Sequence, residues 1–259
     1  MEAFILYRRL RRRTLEGRSG RESMAFGRKR GAEPPSFEPV HWDSVGQFTV
    51  GTALRPPSLR GKAAPGPHAI RVQKSRGNDI YLVPAVYVVP VEGSTGSVSA
   101  AKSGFRLYED ESAQRLLCSV TPDPSTQKDN SRRYRVRDGQ ASDIGCVLRA
   151  PSAKRVVQHL WWLEQPGHPE IVARYHWATG SPGEIVGRGA GKAIGSVVGS
   201  VLSLGADDSS NGPSKPVTWK AADQVALTSA PVGDVRWYLA QASWLDRRLA
   251  FSLAVLREA

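Results

Sequence analysis

The sequence predicts a mainly β fold, an antiparallel sheet closed on itself around a hydrophobic C-terminal helix and preceded by a basic arm. Three observations carry that expectation. The terminal stretch "SWLDRRLAFSLAVLREA" is apolar from Leu249 to Leu256 except at Ser252, so a helix there has no face for water and must be enclosed. Upstream, many short strands with one apolar face recur at near-even spacing, and such a sheet removes its exposed edges by closing. Charge is unevenly placed: residues 1–76 hold 16 Lys/Arg against 6 Asp/Glu, a net of 16 − 6 = +10, in a chain of formal charge +12.

Residues 1–35 contain "YRRLRRR" and "FGRKRGAEPP" with few apolar residues after Leu15, which reads as a disordered basic arm. Its candidate contacts to an anionic surface are Arg8, Arg9, Arg11, Arg12, Arg13, Arg28, Lys29 and Arg30. Met24 opens a second possible start, so residues 1–23 also admit a reading as an upstream extension. The apolar residues precede the arginines and no apolar core follows them, which argues against a secretory or twin-arginine signal. Residues 36–77, punctuated by Pro-Pro and "APGP", read as a linker or loosely docked segment around one candidate strand, "GQFTVGTAL". The barrel domain is expected over residues 78–259.

"IYLVPAVYVVPV" is β-rich, and Pro84 within it calls for an edge strand or a bulge. "FRLYEDESAQRLLCSV" at 105–120 and "YRVRDGQASDIGCVLR" at 134–149 share one scheme: aromatic, Arg, branched apolar, acidic turn, then an apolar strand bearing Cys118 or Cys146. They read as two copies of a hairpin. "WWLEQPGHPEIVARYHW" is a third, with Pro166-Gly167 where a type II turn requires them. "VTWKAADQVALTS" and "VRWYLAQAS" add further short strands.

The closing segment begins at Ser243, Trp244, Leu245 and Asp246, a hydroxyl cap with an acid three residues on, and Arg257 sits in its last turn. Leu249, Phe251, Leu253 and Val255 also fall at period two, but the Ala and Leu content favours helix. The run is far shorter than the about 20 residues a bilayer span needs. Trp244, Leu249, Phe251, Leu253, Val255 and Leu256 are therefore expected to form a core helix.

Taken in order over about residues 80–257, "YRVRDGQASDIGCVLR", the Trp-containing strand with "EQPGHPEIVAR", the Gly/Val-rich segment and "WLDRRLAFSLAVL" resemble the tubby C-terminal-like superfamily, in its LURP-one-related and phospholipid-scramblase branch. The resemblance implies a barrel of roughly twelve strands wrapped around a hydrophobic C-terminal helix. It also implies binding to phosphoinositides or membranes. The scramblase's Pro-rich leader, acylated cysteine cluster and calcium-binding acidic segment have no counterpart here, so lipid scrambling is not implied.

No motif points to catalysis, a metal or a cofactor. In "PGEIVGRGAGKAIGSVVGSVLSLGA" at 182–206 the phosphate-loop pattern is broken by Val186 and Ala193. Gly187, Gly191, Gly195 and Gly199 instead line one ridge of a helix expected to pack on the barrel. His159, His168 and His176 fit no zinc spacing and read as turn and surface residues. The two cysteines read as buried free thiols on strands. Trp161, Trp162, Trp177, Trp219, Trp237 and Trp244 are expected to pack the wall, with a base-stacking platform as the alternative. The expected function is non-enzymatic binding of acidic phospholipid at the cytoplasmic face of a membrane. The alternatives are nucleic acid held by the same arm, because Arg-rich tails bind any polyanion, and a protein-interaction module.

Overall fold

The computed structural model describes residues 36–56, 65–91, 103–124, 132–150, 161–175 and 216–258. Twelve strands form a closed barrel. They are β1 (Gln47–Ala53), β2 (Pro65–Arg76), β3 (Asp79–Pro90), β4 (Phe105–Tyr108), β5 (Leu116–Pro122), β6 (Arg132–Asp138), β7 (Asp143–Arg149), β8 (Trp161–Glu164), β9 (Ile171–Tyr175), β10 (Val217–Ala221), β11 (Gln224–Val232) and β12 (Val235–Ala240). Each strand pairs antiparallel with its neighbour in sequence, and Phe48 opposite Tyr238 closes β1 onto β12. The helix α1 (Arg247–Glu258) fills the interior.

The barrel begins earlier than the sequence suggests. A compact unit runs from Glu38 to Ala259, and β1 and β2 lie within the stretch read as a linker. The misreading has a physical source. β2 opens on Pro65 and Pro67 and ends on exposed Lys74, Ser75 and Arg76, so its apolar alternation toward the core is only Ile70 and Val72. Proline is tolerated at the first residues of a strand, where the ladder is only starting.

Two local expectations are met. Ile70 opposes Val86 but Arg71 opposes Pro84, so the ladder bulges at Ala85, beside the proline. Gly167 has φ 77° and His168 N–H donates to Gln165 O at 3.1 Å, as a Pro-Gly type II turn requires. The hairpins β4–β5 and β6–β7 are adjacent, and each bulges one rung before its turn, at Leu117 and at Ile144. Their thiols are nevertheless out of phase. Cys118 opposes core Leu107, whereas Cys146 opposes Arg135, because a one-residue difference in spacing turns a side chain to the other face.

α1 has no wet side: every residue from Leu249 to Leu256 is buried. Ser252, its one polar member, donates its hydroxyl to Arg248 O at 2.7 Å. Phe251 meets Phe48 edge-on at 4.9 Å, and Phe48 stacks on Tyr238 at 5.4 Å, which ties the helix to the closing seam. On the opposite wall Gly145 faces Leu249; a Cβ there would stand 2.2 Å from Glu164 O. The helix cap is Asp246 rather than Ser243: its Oδ1 accepts from Arg248 N–H at 2.9 Å. Trp244 precedes the helix and is half-buried, so it is not part of the core helix.

Candidate functional site

An up-and-down barrel with an axial helix has two unlike poles. At the pole where α1 begins the connections are short. Gly77-Asn78, Gly139–Ser142 and Ala222-Asp223 are tight turns, and Gln165–Glu170 is a slightly longer one. Gln165 clasps the helix entry, donating from Nε2 to Trp244 O at 2.8 Å and accepting from Asp246 N–H at 2.9 Å. Trp244 donates from Nε1 to Gln224 Oε1 at 3.0 Å and stacks on His168 at 4.4 Å between ring centroids. His168 is thus a turn residue with an aromatic partner, and it shares no strand face with Glu170. Trp42 donates to Glu109 Oε1 at 2.9 Å and lies under the Arg248 guanidinium, which pairs with Asp246 at 2.7 Å. Gln165, Trp244, Asp246 and Arg248 are thus tied to partners at this pole.

The pole where α1 ends is built differently. Connections 54–64, 91–104, 123–131, 150–160 and 176–216 all join strands there, and β11–β12 alone turns tightly at Gly233-Asp234. Arg236 and Arg257 stand at the helix end. Arg149 lies over Trp161 at 5.1 Å, and Arg257 lies over Trp219 at 4.9 Å and donates from Nη1 to Ser229 Oγ at 3.1 Å. Arg236 pairs through Nε with Glu258 Oε1 at 2.9 Å, and the Tyr238 hydroxyl donates to that same oxygen at 2.9 Å. Burial holds the Tyr238 hydroxyl well above its ordinary pKa; Glu258 pushes the same way and Arg257 and Arg236 oppose it. Trp219 Nε1 and Arg236 Nη1 are buried and meet no hydrogen-bond acceptor among the described residues.

Three cations of the outer wall are matched by acids. Arg133, Arg135 and Arg137 line the outside of β6 and pair with Glu164 at 2.7 Å, Asp123 at 3.0 Å and Asp143 at 3.1 Å. Arg133 Nε also donates to Cys146 Sγ at 3.3 Å, so Cys146 sits half-buried on the exterior rather than in the core. Cys118 is buried, and burial pushes its thiol up to about 12 against a weaker opposing hydrogen bond from Ser252. Arg71 is 1% exposed and is held by the carbonyls of Gly51 at 2.9 Å, Leu82 at 3.0 Å and Pro67 at 2.5 Å. Desolvation lowers its pKa. Arg71 sews β1, β2 and β3 together.

Arg8, Arg9, Arg11, Arg12, Arg13, Arg28, Lys29 and Arg30 lie outside the described residues, as do His159, His176, Trp177 and the glycine ridge Gly187–Gly199. The unit boundary changes how the charge divides. Residues 1–37 hold 10 Lys/Arg and 4 Asp/Glu, leaving 36 − 10 = 26 and 24 − 4 = 20 in residues 38–259, so each part has a net charge of +6. Basicity is therefore shared by the barrel unit rather than confined to the front. Trp161 and Trp219 are buried in the wall as expected, whereas Trp162, Trp237 and Trp244 are half-buried. The arginine pair was missed from sequence. Its one signal is Arg236 in "VRWYLA", in phase with core-facing Tyr238 and Ala240.

Among the described residues no group of His, Cys, Asp and Glu could hold a metal ion, and no helix is long and apolar enough to cross a membrane. No protein-family model, curated protein or solved structure matches the chain.

Proposed function

We propose that this protein is a non-enzymatic, tubby- and LURP-one-like barrel that binds anionic phospholipid at the cytoplasmic face of a membrane. The observation that carries the reading is charge density: a net +6 falls within residues 1–37, against the same +6 spread over residues 38–259. Each basic residue near an anionic membrane contributes about 1 kcal/mol, and a Debye length of about 8 Å at physiological salt confines that attraction to the surface. The closed barrel around a C-terminal helix supports the family reading, since that is the architecture the resemblance implies.

Co-sedimentation with phosphatidylserine vesicles tests the proposal, comparing the full chain with one that starts at Glu38. The latter start keeps all twelve strands; a start at Asn78 would remove β1 and β2 and open the barrel. Binding by the full chain should fall steeply with salt, and the shorter chain should bind orders of magnitude more weakly. Full, salt-insensitive binding by the shorter chain would overturn the arm's role. Equal or tighter binding of the full chain to duplex DNA would favour the nucleic-acid alternative.

A further inference from the structure

We draw no further inference here: the strongest candidate, the two buried donors Trp219 Nε1 on β10 and Arg236 Nη1 on β12 at the pole where α1 ends, stands on strands separated by β11, and nothing in the structure shows what acceptor covers either.

Discussion

The two poles of the barrel are made from the same twelve strands and differ in how their polar groups are used. Where α1 enters, Gln165, Trp244, Asp246 and Arg248 satisfy one another, and short turns hold the strand ends. Where α1 leaves, Glu258 receives both Arg236 and the Tyr238 hydroxyl, and buried Trp219 Nε1 and Arg236 Nη1 meet no acceptor among the described residues. Closing one end with local hydrogen bonds fixes where the helix enters the barrel.

The largest effect expected from that division is on the helix that joins the poles. Burying Leu249, Phe251, Leu253, Val255 and Leu256 contributes about 1.5–3 kcal/mol each, an upper figure given a compact unfolded chain, and the sum rivals a whole domain's stability. Removing residues 244–259 should therefore abolish cooperative folding. A truncated chain that stays monomeric and melts in one sharp transition would show that the barrel stands without its helix and that the poles are independent.

Substitutions at single residues should separate the poles by size. Gln165→Ala strips a partner from Trp244 O and from Asp246 N–H and should cost about 1–3 kcal/mol in urea unfolding, the penalty for leaving such groups unpaired. Arg257→Gln gives up the guanidinium's place over the Trp219 ring, a contact that contributes about 0.5–1 kcal/mol, and should cost less. If both substitutions destabilise equally, the arginines belong to the structural framework and the contrast between the poles fails.

Legibility in the sequence followed the range of the interaction. Local rules worked: Pro166-Gly167 marked its turn, Pro84 its bulge, and the all-apolar run from Leu249 its enclosure. Features set by partners far along the chain did not show. β2 is a strand because β1 and β3 flank it, not because "PGPHAIRVQKSR" alternates cleanly. The thiols of Cys118 and Cys146 looked equivalent until register placed them on opposite faces. Ser243 reads locally as the cap, but the helix begins at Asp246, whose N–H is held by Gln165 from the β8–β9 turn. The arginine pair depends on three such facts together: the inward phase of Arg236 on β12, the end of α1, and Trp219 two strands away on β10.

The smallest expected effect sharpens the contrast at the clasped pole. Ala113 (φ 55°), Ala141 (φ 65°) and Ala222 (φ 49°) are the positive-φ residues other than glycine among the described residues, and all three lie in turns of that pole. A left-handed conformation costs an L-residue with a Cβ roughly 1–2 kcal/mol. At Ala141 hydrogen bonds hold it in place: Asp138 Oδ1 accepts from Gln140 N–H at 2.9 Å and Ser142 N–H at 2.8 Å, and Ala141 N–H donates to Asp138 O at 3.0 Å. Ala141→Gly removes the Cβ penalty but loosens the unfolded chain by about 0.4–1 kcal/mol, so the net gain should fall between about 0 and about 1.6 kcal/mol. The three turns share no partners, so their gains should add when combined. Ala250→Gly, inside α1, should destabilise by about 1 kcal/mol or more, since the same change there removes both helix propensity and core packing. Opposite signs at the turn and in the helix, read from the urea midpoint at unchanged slope, would show that the clasped pole carries backbone strain which its hydrogen bonds hold in place. A loss of stability in Ala141→Gly would show that the turn is unstrained.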